Sequence, residues 1–243
     1  MKLLRRTCWG YLSGFFAGDG CVRSDLSGLR VIQSSKAAEV LFLYASCFGG
    51  SRGVGNSGSG TSLPCLHWQV SGVKARRAAE MLGKAQLEKQ VQLLQFVRGT
   101  DDERQTVQMM MRLWKQVPTA VEFQSWSEVA GFVDVEGCFA AKPMAVLTFH
   151  QKHRASLEGL QRFLFGQHGI QVYITPRTHD STCGLTVSRK AMPQMCQELL
   201  QAGLLQKRTQ AGLALGHTTG QHLELRSQAS GAERESRPIP PDD

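Results

Sequence analysis

Two rhythms of apolar and polar residues alternate along the chain. From Lys36 to Phe48 apolar side chains return every three or four residues. They do so again from Ala155 to Phe165, and both stretches predict amphipathic helices. Gly49-Gly50 and Gly166 predict where those helices end. CVRSD and GLRVIQS, rich in β-branched residues with a glycine between them, predict a hairpin. Further apolar helices are expected at about residues 8–18 and 125–135. Residues 51–62, SRGVGNSGSGTS, have the composition of a flexible connection. Thr100-Asp101-Asp102-Glu103 has the form of a capping box. It predicts a helix carrying Val107, Met110, Met111 and Trp114 on one core-facing stripe.

The stretch GFFAGDGCV, residues 14–22, follows a basic start with Lys2, Arg5 and Arg6. Alone it could be the apolar region of a signal peptide, although Asp19 and Arg23 stand where small cleavage-site residues would be. An internal copy weakens that alternative: YLSGFFAGDGCVR at 11–23 matches EVAGFVDVEGCFA at 128–140, 117 residues later. Three more blocks recur in the same order. Residues 31–50 parallel 147–166, residues 68–82 parallel 185–200, and LEKQVQLLQF at 87–96 parallels LQKRTQAGLAL at 205–215. The chain is an old duplication, and each half reads helix, two strands, helix, two strands, helix. The halves are assigned to residues 1–116 and 125–225, joined by a linker at 117–124 through Pro118. The charged, proline-rich stretch from 226 to 243 is expected to be a disordered tail.

Composition narrows the partners. The formal charge is +8 over 243 residues, and the last stretch from Arg226 is slightly acidic, so the body is more basic than the total. A basic folded body suits a polyanion. Seven scattered cysteines without a C-x-x-C pair argue against both a disulfide framework and a zinc site, and fit a reducing compartment. No apolar run approaches the ~20 residues that would span a membrane.

The repeated motif carries the candidate chemistry. Gly14 and Gly18 are four apart on one helical face, which lets a second backbone approach closely. If the two repeat helices pack there, Asp19 and Glu136 converge at their C-terminal ends. Helix dipoles and mutual repulsion both oppose two carboxylates in that place. A divalent cation with oxygen ligands would offset the cost. Asp-Gly and Glu-Gly could instead be plain helix-to-strand turns; their occurrence in matched repeats of a basic protein favours the metal site.

The blocks LSGFFAGDG (12–20) and VAGFVDVEG (129–137) resemble the signature of the LAGLIDADG homing endonucleases, and the likeness extends over roughly residues 8–220. Two motifs in one chain resemble the monomeric subclass. The resemblance implies an α+β fold of two pseudo-symmetric αββαββα repeats, packed through the motif helices into a DNA-binding β-saddle. It implies an Mg²⁺-dependent endonuclease, with Mn²⁺ able to substitute, cutting double-stranded DNA at a long, nearly unique target. The alternative on the same fold is an intron-encoded RNA-binding maturase that assists splicing. Carried over, the metal-binding acids are Asp19 and Glu136, with backbone carbonyls of Gly18 and Val135 as further ligands. Gln151 is placed near the attacking water, and Ser35 stands at the matching place of the first half. Lys89 and Lys207 open the last helix of each repeat and face the site.

Strand alternation counted from the acids gives Cys21, Arg23 and Asp25 in one half, and Cys138, Ala140 and Lys142 in the other. With Arg30, Arg52, His67, Gln69, Arg177 and Thr186, these make the candidate DNA-facing set; each is a base reader, a phosphate contact or a solvated strand residue. Ala17 replaces an often acidic sixth motif position, and Val135 is larger than the usual seventh residue. Val135 is expected to spread the helix ends, and Ser35 to impoverish the first half-site. A motif helix starting near residue 8 leaves no room for a transit peptide. The expected compartment is therefore the organelle of synthesis, chloroplast or mitochondrion, or the cytoplasm of a prokaryote.

Overall fold

The computed structural model describes residues 2–23, 25–58, 63–99, 106, 109–110, 120–140, 145–176 and 182–218. The predicted capping box, most of the Met-rich stripe, Lys142, Arg177 and the tail from 226 lie outside these residues. The first repeat runs α1 (Lys2–Asp19), β1 (Gly20–Val22), β2 (Gly28–Ser34), α2 (Glu39–Phe48), β3 (Ser51–Asn56), β4 (Cys65–Ser71), α3 (Gly72–Leu82) and α4 (Gln90–Arg98). The second runs α5 (Trp126–Glu136), β5 (Gly137–Ala140), β6 (Val146–Gln151), α6 (Arg154–Gln161), β7 (Val172–Pro176), β8 (Cys183–Val187), α7 (Met192–Gln201) and α8 (Arg208–Thr218). Two antiparallel sheets result, ordered β1-β2-β4-β3 and β5-β6-β8-β7. The duplication read in the sequence is thus a duplication of topology. Each repeat closes with two helices where one was expected. No helix among the described residues is long and apolar enough to cross a membrane.

Three local expectations need correction. Residues 51–56 form β3, pairing Ser51 with Gln69 and Gly53 with His67. Their glycines are poor strand formers, but pairing to β4 satisfies the backbone, and an edge position tolerates the missing side chains. The second amphipathic helix does not end at Gly166. It continues from α6 through a π-helical turn, Arg162–Gln167, and the chain reverses at Gly169, whose φ is +66°. The motif helix α1 begins at Lys2, earlier than residue 8.

The centre of the molecule is the contact between α1 and α5, and glycine makes it. A Cβ on Gly14 would lie 1.9 Å from the Glu128 carbonyl oxygen, and one on Gly131 would lie 2.0 Å from that of Tyr11. The two contacts are equivalents, related by the pseudo-two-fold axis of the repeats. Aromatic rings fill the space between helices and sheets. Tyr44 of α2 lies against Phe15, Phe16, Phe48 and Trp68, and its hydroxyl donates to the Leu12 carbonyl at 2.6 Å. Phe132 of α5 packs on Phe123 and Phe149 in the other repeat. Each central helix passes directly into the first strand of its own sheet, so residues at its C-terminus are fixed by both elements.

Candidate active site

Asp19 ends α1 and Glu136 ends α5. The close packing of the helices brings the two together. Gly18 sits beside the Glu136 carboxylate, 3.2 Å from its Oε1 to the place a Cβ would occupy. Burial pushes the Glu136 carboxyl above its usual range, the nearby Asp19 pushes it further, and a hydrogen bond from Gln151 and the charge of Lys89 oppose the shift. Val135 does not force the helices apart: its side chain fills the space left by Gly18, where a Cβ would come within 2.4 Å of Val135 Cγ1.

A glutamine holds each acid. Gln151 bonds Glu136, and Gln33 donates from Nε2 to Asp19 Oδ2. Gln33 was not foreseen, and Ser35 does not occupy its place. β1 pairs Gly20 with Val31, and β5 pairs Gly137 with Phe149. Two residues beyond Val31 is Gln33, and two beyond Phe149 is Gln151. The sequence comparison of residues 31–50 with 147–166 was therefore slipped by two. Ser35 is exposed and opens a short 3-10 turn, Ser35–Ala37. The hairpin lengths, counted from the two motif acids, were the signal that could have found Gln33.

Lys89 and Lys207 take matching positions just before α4 and α8. Lys89 Nζ donates to the Phe16 carbonyl at 3.2 Å and to the Gly18 carbonyl. Lys207 Nζ donates to those of Val133 and Val135 at 2.8 and 3.2 Å. Each ammonium thus caps the carbonyl end of its own motif helix, the negative end of the dipole. Burial lowers the pKa of both, while nearby acids, Asp19 and Glu136 among them, raise it. The carbonyls of Gly18 and Val135, expected as metal ligands, carry these hydrogen bonds, and each oxygen retains a second lone pair.

The sixth motif position is where the halves differ most. Asp134, only 3% exposed, accepts from the Tyr11 hydroxyl at 2.7 Å and from the backbone N–H of Leu205, Gln206 and Lys207 at 2.8 to 3.0 Å. It anchors the turn that delivers Lys207 and ties that turn to α1. Ala17, its counterpart, is buried and offers no such acceptor. Contacts across the repeats support both lysine turns: Ser156 donates to Glu88 at 2.8 Å, and Gln206 donates to the Ala37 carbonyl at 2.9 Å.

Two carboxylates backed by carbonyl oxygens suit a hard divalent cation. Among the described residues no three His, Cys, Asp or Glu side chains cluster, so the donor set would be these acids and backbone oxygens.

Cross-strand partners share a face of a sheet. In the first sheet Cys21, Arg30, Gln69 and Ser51 form one row, and Ile32, His67 and Gly53 the next. This face is opposite the helices. Arg30 Nε and His67 Nδ1 are shielded there without a hydrogen-bond partner, close to the bare backbone of Gly53 and Gly55. Desolvation, and then Arg30, lower the His67 pKa. In the second sheet the corresponding row is Cys138, Thr148, Thr186 and Tyr173, with His150 and Thr175 in the next. Ala140 is exposed at the end of β5. Among the described members of the expected DNA-facing set, Arg52 needs correction. Its partner is the fully buried Trp68, so it lies on the helix side, where its guanidinium covers the Phe42 ring at 4.5 Å. Arg23 bonds Asp25 through both guanidinium and carboxylate, at 3.0 and 3.3 Å. Asp25 is held down to about 2, chiefly by Ser27 and also by Arg23.

No protein-family model and no curated protein matches this sequence. Solved structures do. The I-LtrWI LAGLIDADG homing endonuclease bound to target DNA superposes with a TM-score of 0.63 at 16% identity, covering 94% of this chain and 96% of that one. I-SmaMI bound to uncleaved DNA in the presence of calcium ions gives 0.59 at 16%, covering 92% and 98%. The I-SmaMI LAGLIDADG homing endonuclease bound to cleaved DNA gives 0.61 at 15%, covering 91% and 90%.

Proposed function

The chain has the fold of the two-repeat LAGLIDADG homing endonucleases, and from that premise we propose that it is a site-specific, divalent-metal-dependent DNA endonuclease. The observation that carries the proposal is the convergence of Asp19 and Glu136, each gripped by a glutamine and flanked by a half-buried lysine. A protein built only to bind a polyanion gains nothing from two carboxylates in this place. Asp19, Glu136 and the carbonyls of Gly18 and Val135 would hold Mg²⁺, or Mn²⁺ in its place. The cation when bound would supply charge neutralisation at the scissile phosphate and a more acidic water.

The chain's own residues prepare the rest. Gln33 and Gln151 fix the carboxylates so that no side-chain freedom is lost on binding. Lys89 and Lys207 keep two ammonium groups beside the place where phosphate charge builds during displacement of the 3′ oxygen. The open sheet faces would lie along the major groove. Arg30 and Gln69 offer guanine- and adenine-reading geometry, and the partnerless nitrogens of Arg30 and His67 favour a ligand on that face. Thr186, Tyr173 and Ala140 suit apolar contact with thymine methyls.

The test uses the wild-type protein and Asp19→Asn with a randomised duplex library in Mg²⁺, sequencing the new ends. Staggered ends at one long site, made only by wild type, are expected. DNA affinity of the variant should stay within about threefold, since the change removes charge and little bulk. Equal cutting by Asp19→Asn would sink the assignment. Specific binding with no cutting by wild type would turn attention to the maturase alternative and to intron RNA.

A further inference from the structure

Cys8 on α1 and Cys47 in the last turn of α2 bring their sulfurs to 3.7 Å, 39 residues apart in sequence. Both side chains are partly exposed. This contact is not a by-product of the duplication, because Ser125 stands in the second repeat where Cys8 stands in the first. The ring pair Trp9–Phe48, at 5.1 Å, lies in the adjacent position on the same two helices and fixes their approach. We propose that Cys8 and Cys47 are a peroxide-oxidisable thiol pair that closes to a reversible disulfide, stapling the motif helix α1 to α2.

The Cys47 thiol stabilises the Cys8 thiolate by hydrogen bonding and brings its pKa to about 7, against burial, so a large fraction is ionised at neutral pH. Three of the other five thiols differ in kind. Cys196 is buried and pushed up to about 11, while Cys21 and Cys138 are exposed on the open faces of two different sheets. With hydrogen peroxide as oxidant, the Cys8 thiolate attacks one peroxide oxygen. The O–O bond breaks, hydroxide leaves, and Cys8 becomes a sulfenic acid. The Cys47 sulfur then attacks the sulfenic sulfur, the S–O bond breaks, and water leaves with the Cys47 proton. Two thiols lose two electrons in all, and peroxide is reduced to two waters. Closing the present gap to a bond of about 2 Å is a small relative shift of two helices. A thiol reductant reverses the reaction by exchange.

The experiment is peptide mapping of the full chain after mild hydrogen peroxide, with the remaining thiols alkylated in denaturant. The expected result is loss of two of the seven alkylatable thiols. A single crosslinked peptide should contain Cys8 and Cys47, and dithiothreitol should restore both. The melting temperature should rise on oxidation and fall back on reduction. In Cys47→Ser the sulfenic acid cannot resolve, so dimedone should label Cys8; in Cys8→Ser no crosslink should form. Peroxide that oxidises Cys21 or Cys138 while Cys8 and Cys47 remain alkylatable would overturn the proposal. So would a crosslink from Cys8 to any other cysteine. The wild-type map decides the matter even if a variant fails to fold.

Discussion

At the scale of single residues, the two acids of the second motif, Glu136 and Asp134, are opposites in what they cost and what they do. Glu136 is partly buried beside Asp19, so in the metal-free protein its charge opposes folding. Its folded-state pKa is raised, so folding favours the protonated acid. That contribution is complete below the unfolded value of about 4.3 and is lost as pH rises through the folded value. Glu136→Gln, which resembles the protonated acid, is therefore expected to be more stable than wild type near pH 7, by about 1 kcal/mol. Denaturant melts should show the gap closing as pH falls below the folded value; a less stable variant at neutral pH would contradict this account. Asp134 is the reverse case. Its four donors include three backbone N–H groups of the Lys207 turn. Asp134→Ala leaves buried donors unpaired and should cost about 3 kcal/mol or more. It should also slow cleavage more than Asp134→Asn, which keeps one acceptor oxygen.

At the scale of elements, the packing of α1 on α5 is the least forgiving contact. Gly14→Ala and Gly131→Ala each drive a methyl group into a backbone carbonyl of the facing helix. Both should destabilise by about 3 kcal/mol, and by similar amounts, because the two contacts are pseudo-symmetric equivalents. Gly18→Ala meets Val135 Cγ1 at 2.4 Å and Cβ at 2.8 Å, so Val135→Ala, which removes only the first, should rescue it in part, and Val135→Gly more fully, in double-mutant cycles. The sheets offer a second test. Arg30 is on the open face and Arg52 is not. Arg30→Ala should relax preference at one guanine and cost about 1–3 kcal/mol of discrimination, whereas Arg52→Ala should leave the selected site unchanged. Selection on a randomised target distinguishes the two, and equal effects would refute the assignment of faces.

At the scale of the whole molecule, two similar halves make one asymmetric protein. The Lys207 turn is locked by Asp134, whereas Ala17 gives the Lys89 turn no such lock. The first open face presents Arg30, His67 and Gln69. The described part of the second presents threonines, Tyr173 and His150. On the proposed function, the two half-sites of the DNA target should differ in composition. With a net charge of +8 in the chain, binding of the target should depend strongly on salt. For roughly 6–10 phosphate contacts the affinity should drop on the order of 10³–10⁵ between 50 and 200 mM. A flat salt response in a filter-binding titration would argue against a phosphate-dominated interface.

Whatever depends on residue identity at short range can be read from the amino-acid order alone. The duplicated motif, the acid at each helix end, the small residues that let two helices touch and the lysine opening each last helix were all legible. Glycine spacing on one helical face and repeated blocks do not need long-range contacts to be recognised. Whatever depends on register became visible in the folded chain. Gln33 rather than Ser35 reaches Asp19 because the β1–β2 hairpin sets which residue returns beside the helix end. Residues 51–56 are a strand because β4 supplies their hydrogen bonds, against their own composition. Arg52 faces the helices because it pairs with Trp68, and a shift of one residue would have turned it to the open side. Asp134 lies 71 to 73 residues before the turn it caps, and no local pattern connects them. Sequence specifies these outcomes only through distant partners, whose backbone hydrogen bonds and packing select one register among several that are locally equivalent.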